Sequence, residues 1–113
     1  MHELGICDAM LKMVRGIAQE SELKEVYSIT IEVGSLSGVV PKFLEDCWTA
    51  VTDGTEFEQT RMIVEVDEGE ASCLDCGKTF VADLNRPVCP FCGSSKLLPI
   101  SGKDLTIKEI QGD

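Results

Sequence analysis

Hydrophobic residues in the first half of the chain recur with two different periods. Between residues 4 and 20 they recur at steps of three and four, which predicts an amphipathic helix. The apolar stripe of this helix consists of Leu4, Cys7, Met10, Leu11, Val14, Ile17 and Ala18. Between residues 26 and 33 hydrophobic and polar residues alternate, which predicts a strand. The apolar face of this strand consists of Tyr27, Ile29, Ile31 and Val33.

A second helix and two further strands are predicted from the same patterns. Pro41 suits the first position of a helix, and Gly54 suits its end. The predicted buried stripe of this helix is Leu44, Cys47, Trp48 and Val51. Residues 61–67 and residues 105–110 alternate, which predicts two strands. In the earlier strand Ile63 interrupts the alternation, and the predicted apolar face holds Met62, Val64 and Val66.

Residues 71–104 differ from the rest of the chain in composition. They contain four of the six cysteines, three of the four prolines and few aliphatic residues, so they need a source of stability other than a hydrophobic core. The order of elements predicts an α+β fold, with two helices covering one face of a small three-stranded sheet and residues 71–104 inserted before the last strand. We expect two domains, residues 1–70 together with 105–113, and residues 71–104.

The spacing of the cysteines in the insertion indicates a metal site. Cys73 and Cys76 form one C-x-x-C pair, Cys89 and Cys92 form a second, and a glycine follows each pair. Four thiolates at the corners of a tetrahedron suit Zn²⁺ in a closed zinc-ribbon site, which is structural because no coordination position is left open. An iron site of the rubredoxin type remains an alternative, because a set of four thiolates accepts either metal.

Composition and charge narrow the classes of function. The chain has 113 residues and a net charge of −10, which disfavours binding to nucleic acid. No apolar run reaches the roughly 20 residues that a membrane helix requires, and the chain start lacks the basic region of a secretory signal. We expect a cytoplasmic protein without disulfides, in which Cys7 and Cys47 are small buried hydrophobic residues.

The first three residues form a second candidate metal site. The α-amino group of Met1, the amide nitrogen of His2 and the imidazole of His2 can chelate one metal ion in nearly one plane, an arrangement that Ni²⁺ and Cu²⁺ favour. Glu3 can supply a fourth ligand or orient the imidazole. Binding requires loss of the proton of the amine, so affinity should rise with pH.

The motifs and their order along the chain resemble those of the HypA/HybF family of hydrogenase nickel-incorporation proteins. The similar segments are the start Met1-His2-Glu3-Leu4, the turn Val33-Gly34-Ser35-Leu36-Ser37-Gly38-Val39-Val40-Pro41, the turn Asp53-Gly54-Thr55, the two C-x-x-C-Gly motifs and the stretch Ser101-Gly102-Lys103-Asp104-Leu105. The similarity runs the whole length of the chain. The combination of the Met-His-Glu start with the two cysteine pairs is more specific than either motif alone.

The resemblance implies a metallochaperone rather than an enzyme. It implies that Met1, His2 and Glu3 hold Ni(II) as cargo, that Zn(II) is structural, and that a maturation GTPase and the large subunit of nickel-iron hydrogenase are partners. In some organisms urease is a further client. The residues themselves leave two other functions open: a zinc-ribbon interaction module without a nickel role, and a rubredoxin-like iron electron carrier. They also leave open whether the protein forms homo-oligomers.

Overall fold

The computed structural model describes residues 2–113, except for the side chain of His2. Within the described residues, two helices and six strands follow one another. Their bounds are α1 His2–Glu20, β1 Val26–Gly34, α2 Pro41–Thr52, β2 Arg61–Asp67, β3 Glu70–Cys73, β4 Thr79–Val81, β5 Leu97–Pro99 and β6 Leu105–Gly112. None of the described helices is long and apolar enough to cross a membrane.

The chain divides into two compact units. The first consists of residues 1–32, 39–65 and 106–113, and the second consists of residues 33–38 and 66–105. The predicted fold class is confirmed, because the structure contains two helices, a small three-stranded sheet and a cluster of four cysteines within the insertion. The insertion also contains a second three-stranded sheet, which was not predicted from the sequence.

The first unit has an aliphatic core between its two helices and its strands. Its fully buried side chains include Val14 of α1, Leu44 of α2 and Ile29 and Ile31 of β1. Trp48 is also buried, and its indole N–H donates to the carbonyl oxygen of Thr60 at 3.1 Å, which satisfies the polar atom of this large residue. Burial of this apolar surface stabilises the unit without any metal ion.

Several residues on the predicted apolar stripes are more exposed than expected. Leu4 and Ile17 of α1 are 42% and 38% exposed, because the predicted stripe is wider than the surface that the helix buries. Tyr27 is 48% exposed, and its hydroxyl donates to the carboxylate of Asp113 rather than packing inside. Val66 is 54% exposed near the end of β2.

The end of α2 and the polar face of β1 also differ from prediction. Thr52 is buried and its hydroxyl donates to the carbonyl oxygen of Trp48 at 2.7 Å, whereas Val51 is only half-buried. Thr30 is buried although it lies on the predicted polar face of its strand. Gly54, the second residue after the helix, has a φ of +75°, which agrees with its predicted role at the helix end.

The first sheet has the strand order β2-β1-β6, so β1 is central. The strands β1 and β2 run parallel: the Thr60 hydroxyl bonds the Val26 carbonyl oxygen near their starts, and the Ser35 N–H bonds the Asp67 carbonyl oxygen near their ends. Helix α2 is the crossover that such a parallel pair needs.

Strand β6 runs antiparallel to β1 on its other side. Residues Glu25 and Asp113 exchange two backbone hydrogen bonds, of 2.9 and 3.2 Å, where β1 begins and β6 ends. At the opposite end the Gly34 N–H donates to the Asp104 carbonyl oxygen at 2.8 Å. A Cβ atom on Gly34 would lie only 2.0 Å from the carbonyl oxygen of Gly102, so this close approach of two backbones requires glycine.

The sheet of the second unit is antiparallel and has the order β4-β3-β5. Its central strand β3 buries Ala71 and ends at Cys73, which is itself buried. The two outer strands contain only three residues each. Cys73 is thus the one cysteine of the cluster that lies in a strand of this sheet.

Candidate metal centre

The two cysteine pairs adopt the same backbone conformation. In each pair the glycine that follows the second cysteine donates its N–H to the carbonyl oxygen of the first cysteine at 2.8 Å. Both of these glycines, Gly77 and Gly93, have a φ of +78°, which explains why a glycine follows each pair. The first cysteine then bonds through its own N–H to the carbonyl oxygen five residues later, at 2.9 Å for Cys73 and 2.7 Å for Cys89.

The four sulfur atoms are grouped as a tetrahedral metal requires. The ligand atoms of Cys73, Cys76, Cys89 and Cys92 all lie within 4.8 Å of one another. The Sγ atoms of Cys73 and Cys92 are 3.6 Å apart, and those of Cys76 and Cys89 are 3.7 Å apart. A tetrahedron with Zn–S bonds of about 2.3 Å has sulfur atoms about 3.8 Å apart. The residues therefore fit a zinc ion with four sulfur ligands.

Backbone N–H groups point at the first sulfur of each pair. The N–H of Cys76 contacts the Cys73 sulfur at 3.5 Å, and the N–H of Phe91 contacts the Cys89 sulfur at 3.4 Å. Such contacts stabilise a thiolate, and the hydrogen bond from Cys76 is the main reason that the pKa of Cys73 falls to about 7. These two sulfurs are the ones best prepared to bind a cation as thiolates.

The pKa values of Cys89 and Cys92 are shifted by burial, by backbone hydrogen bonds and by contacts with the other thiols. Burial raises the pKa of Cys89, but hydrogen bonds from the backbone of Cys92 and Phe91 outweigh it, so this pKa is lowered. A backbone contact with Ser94 lowers the pKa of Cys92, but contacts with the other thiols and burial raise it to about 12. The thiols of the cluster therefore differ in how readily each loses its proton.

Contacts between the two cysteine pairs hold them together. The hydroxyl of Ser94 donates to the carboxylate of Asp75, which lies within the first pair. The N–H of Leu74 donates to the carbonyl oxygen of Lys96 at 2.9 Å. Asp75 and Ser94 were not predicted as site residues, and the only signal for them in the sequence is their position within and directly after a C-x-x-C-Gly motif.

The two other cysteines lie in the helices of the first unit. Cys7 and Cys47 are buried, as predicted, and the Cys7 thiol lies 3.2 Å from the carbonyl oxygen of Leu44. Burial, together with the nearby Cys47 and Glu3, raises the pKa of Cys7 to about 12. A thiol with so high a pKa is a poor nucleophile and a poor metal ligand.

Of the predicted nickel ligands, the structure describes Glu3 and the backbone of His2, both in the first turn of α1. Met1 and the side chain of His2 lie outside the described residues. Glu3 is described, and it is a half-buried acidic residue in the first turn of the helix. A carboxylate in this position is favoured by the helix dipole.

Comparison with known proteins assigns the chain to a family. The family model for hydrogenase/urease nickel incorporation, metallochaperone, HypA matches residues 1–112. The chain belongs to the HypA family. One relative is the hydrogenase maturation factor HypA of Aquifex aeolicus, 33% identical over 111 residues, which cover 98% of this chain and 96% of the relative. HypA of Prosthecochloris aestuarii is 36% identical over 110 residues, which cover 97% of each protein.

Solved structures of HypA proteins share this fold. The solution structure of the Ni metallochaperone HypA from Helicobacter pylori superimposes with a TM-score of 0.66 and 13% identity, and covers 97% of this chain and 96% of that one. A second solution structure of a HypA protein gives a TM-score of 0.68 and 15% identity, over 99% of this chain and 96% of that one. At these identities the likeness concerns the fold alone.

Proposed function

We propose that this protein is a nickel metallochaperone that binds Ni(II) at its amino terminus and delivers it for maturation of nickel-iron hydrogenase. The observation that carries the proposal is the HypA family match over residues 1–112 in a chain that starts Met1-His2-Glu3. The ion is cargo, so the protein needs to bind and release it but not to transform a substrate. We therefore propose no catalytic residues.

The proposed nickel ligands are the amine of Met1 and the amide and imidazole nitrogens of His2. Nitrogen donors in one plane are favoured by Ni²⁺. Glu3 completes or orients the site. Its place in the first turn of α1 supports this role, because the helix fixes the backbone position from which its side chain extends. Three protein nitrogens leave a coordination position that water or a partner protein can fill, which suits an ion that must be handed on.

The proposed structural zinc ligands are Cys73, Cys76, Cys89 and Cys92. Their four sulfur atoms fill a tetrahedral site, so the zinc ion has no open position for chemistry. We propose that zinc stabilises residues 71–104 as a domain of their own. Residues 1–70 and 105–113 form the other domain, which carries the nickel site.

The proposed partners are those that delivery of nickel requires. A maturation GTPase would act with this protein, and the large subunit of the hydrogenase would receive the ion. The family model also includes urease, which makes urease a second proposed client. We place this activity in the cytoplasm, where free thiols remain reduced.

Titration with nickel tests the proposed site. Zinc-loaded protein should take up a single nickel ion with an affinity that rises with pH, because the Met1 amine must lose its proton. His2→Ala, and a variant with one residue added before Met1, should both lose this ion, since each destroys the chelate. Asp8→Asn changes an exposed acidic residue of the same helix and should bind nickel normally.

Two outcomes would contradict the proposal. Full nickel uptake by both altered chain starts would place nickel elsewhere and would favour an interaction module without a nickel role. A visibly red protein after aerobic purification would indicate iron in the four-cysteine site, because a zinc site with these ligands is colourless. Zinc and nickel content measured by mass spectrometry distinguishes these cases.

A further inference from the structure

One edge of the small sheet in the second unit has free backbone groups. In the antiparallel pair β3–β4, the N–H of Cys73 bonds the carbonyl oxygen of Lys78, and the N–H of Ala82 bonds that of Gly69. Bonded and non-bonded residue pairs alternate along such a ladder. The N–H and C=O groups of Thr79 and Val81 therefore point away from β3, at the outer edge of the sheet.

The opposite edge of the same sheet is blocked. In the pair β3–β5, the bonds from Leu74 to Lys96 and from Ile100 to Glu70 leave Leu97 and Pro99 facing outward. Pro99 has no N–H, and the N–H of Leu97 already bonds the carbonyl oxygen of Ser95 at 3.1 Å. Proteins commonly protect sheet edges with proline in this way. The edge formed by β4 lacks this protection.

A groove lined by both apolar and charged residues lies beside the unprotected edge. It has a volume of about 420 Å³ and is lined by Phe80, Val81, Arg86, Val88, Pro90 and Phe91, among others. Val81 and Phe91 are 57% and 58% exposed. The rings of Phe80 and Phe91 meet edge to face, with their centres 6.4 Å apart. An extended segment added to β4 would thus find hydrophobic surface for its side chains.

The charge at the groove is opposite to that of the protein as a whole. Residues 71–104 contain four of the ten basic residues but only three of the twenty acidic ones. The ammonium group of Lys78 lies 4.5 Å from the centre of the Phe91 ring, and neither Lys78 nor Arg86 has a carboxylate partner within the described part of the chain. Asp83 also lines the groove, and it accepts the N–H of Asn85.

We propose that β4 and this groove bind an extended, acidic segment of another protein as an added strand. The outward N–H and C=O groups of Thr79 and Val81 would form the main-chain hydrogen bonds. A hydrophobic side chain of the segment would enter the groove against Phe91, and its acidic side chains would pair with Lys78 and Arg86. This is the mode of peptide recognition in which main-chain bonds give affinity and side-chain pockets give specificity.

Charge selects this occupant over a second copy of the same chain. Pairing β4 with β4 of another copy would bring two sets of Lys78 and Arg86 together, and like charges repel. An acidic segment instead gains attraction from both cations. The proposal does not depend on nickel binding.

Selection from a displayed library of random eight-residue peptides against the zinc-loaded, full-length protein tests the proposal. We expect enrichment of peptides in which Asp or Glu flank an aliphatic or aromatic residue. Binding of the recovered peptides should weaken at least tenfold in the double variant Lys78→Glu/Arg86→Glu. The matched control Lys96→Glu reverses a charge in the same unit, away from the groove, and should change binding by less than twofold.

Amide hydrogen exchange of the unaltered protein provides a readout that does not depend on variants. On binding of a recovered peptide, exchange at Thr79 and Val81 should slow at least tenfold, while exchange at Leu97 should stay the same. Recovery of no peptide sensitive to Lys78 and Arg86, protection at β5 instead of β4, or dimerisation through β4 without peptide would each overturn the proposal.

Discussion

Two regions of this protein, the two helices with the first sheet and residues 71–104, bury different kinds of side chain. Between the helices and the first sheet, the fully buried residues include Val14, Ile29, Ile31 and Leu44. Within residues 71–104 the buried hydrophobic residues are Ala71, Cys73 and Cys89. Aliphatic side chains lose their contact with water on folding, whereas two thiols and a methyl group supply little apolar surface. The two regions therefore draw their stability from different sources.

The difference shows how a short segment without a core can still fold to a defined structure. The binding energy of a structural zinc ion becomes folding energy, because the tetrahedral site does not exist in the unfolded chain. The hydrogen bonds of Gly77 and Gly93 set the shape of the two cysteine pairs, and zinc would join the pairs. The region formed by the two helices and the first sheet needs no such ion, so the two regions should respond differently to loss of metal.

Removal of zinc should produce the largest difference in stability between the two regions. In zinc-finger peptides at neutral pH, zinc binding contributes about 10–16 kcal/mol to the free energy of folding. The few buried apolar side chains of residues 71–104 cannot replace a contribution of this size. We expect the substitution Cys76→Ser, or a strong chelator, to unfold residues 71–104 while the helices persist. Amide NMR spectra should show collapsed dispersion for these residues only, and circular dichroism should retain the helical signal.

A buried cysteine outside the cluster provides the control for this experiment. Cys47→Ala removes one buried sulfur from α2 and should cost about 1 kcal/mol, as for the loss of a small buried group. This variant should keep its zinc. Loss of the helical signal in Cys76→Ser would show that the two regions do not fold separately, and unchanged NMR dispersion would show that zinc is not needed.

Truncation of the aliphatic core should destabilise the helices and leave residues 71–104 folded, which is the opposite of the effect expected from removal of zinc. Leu44 is fully buried in α2, and replacing such a leucine by alanine costs about 2–5 kcal/mol. We expect Leu44→Ala to lower the urea midpoint of the helical signal and to leave zinc content unchanged. Phe43→Ala, at a neighbouring position that is 52% exposed, should cost less than about 1 kcal/mol. Equal losses in the two variants would contradict the proposed core.

Long elements of the fold were predictable from sequence, and short ones were not. Periodicity over many residues identified both helices and the three strands of the first sheet, and each predicted end lies within two residues of the end in the structure. Strands β3, β4 and β5 contain only three or four residues, too few for alternation to show. Hydrogen bonds around the cysteine pairs, rather than a hydrophobic pattern, determine these strands.

The candidate sites show the same limit. The spacing of the cysteines identified the cluster that the structure brings together, because C-x-x-C pairs encode their own local geometry. Spacing did not reveal that Cys73 and Cys89 are buried while Cys76 and Cys92 are exposed. The sequence pattern also did not identify the unprotected edge of β4, because that edge depends on the order of the strands in the sheet. The nickel site at Met1, His2 and Glu3 stays a prediction.

The smallest expected effect is a loss of stability at alkaline pH. It arises from Tyr27 and Asp113, both in the first unit, and does not involve residues 71–104. The hydrogen bond of the Tyr27 hydroxyl to the Asp113 carboxylate is the main cause that raises the pKa of Tyr27 to about 12, and the unfolded value is near 10. Between these values the unfolded chain binds fewer protons than the folded one, so this contribution is complete below pH 10 and is lost as pH rises towards 12. The urea midpoint of the zinc-loaded protein should therefore exceed that of Tyr27→Phe at pH 8, and the difference should shrink by pH 11.

A second variant tests the role of the charge. Asp113→Asn keeps a hydrogen-bond acceptor but removes the negative charge, so its urea midpoint at pH 8 should fall between those of the unaltered protein and Tyr27→Phe. A difference that is constant with pH would show that the tyrosine acts through packing rather than through this hydrogen bond.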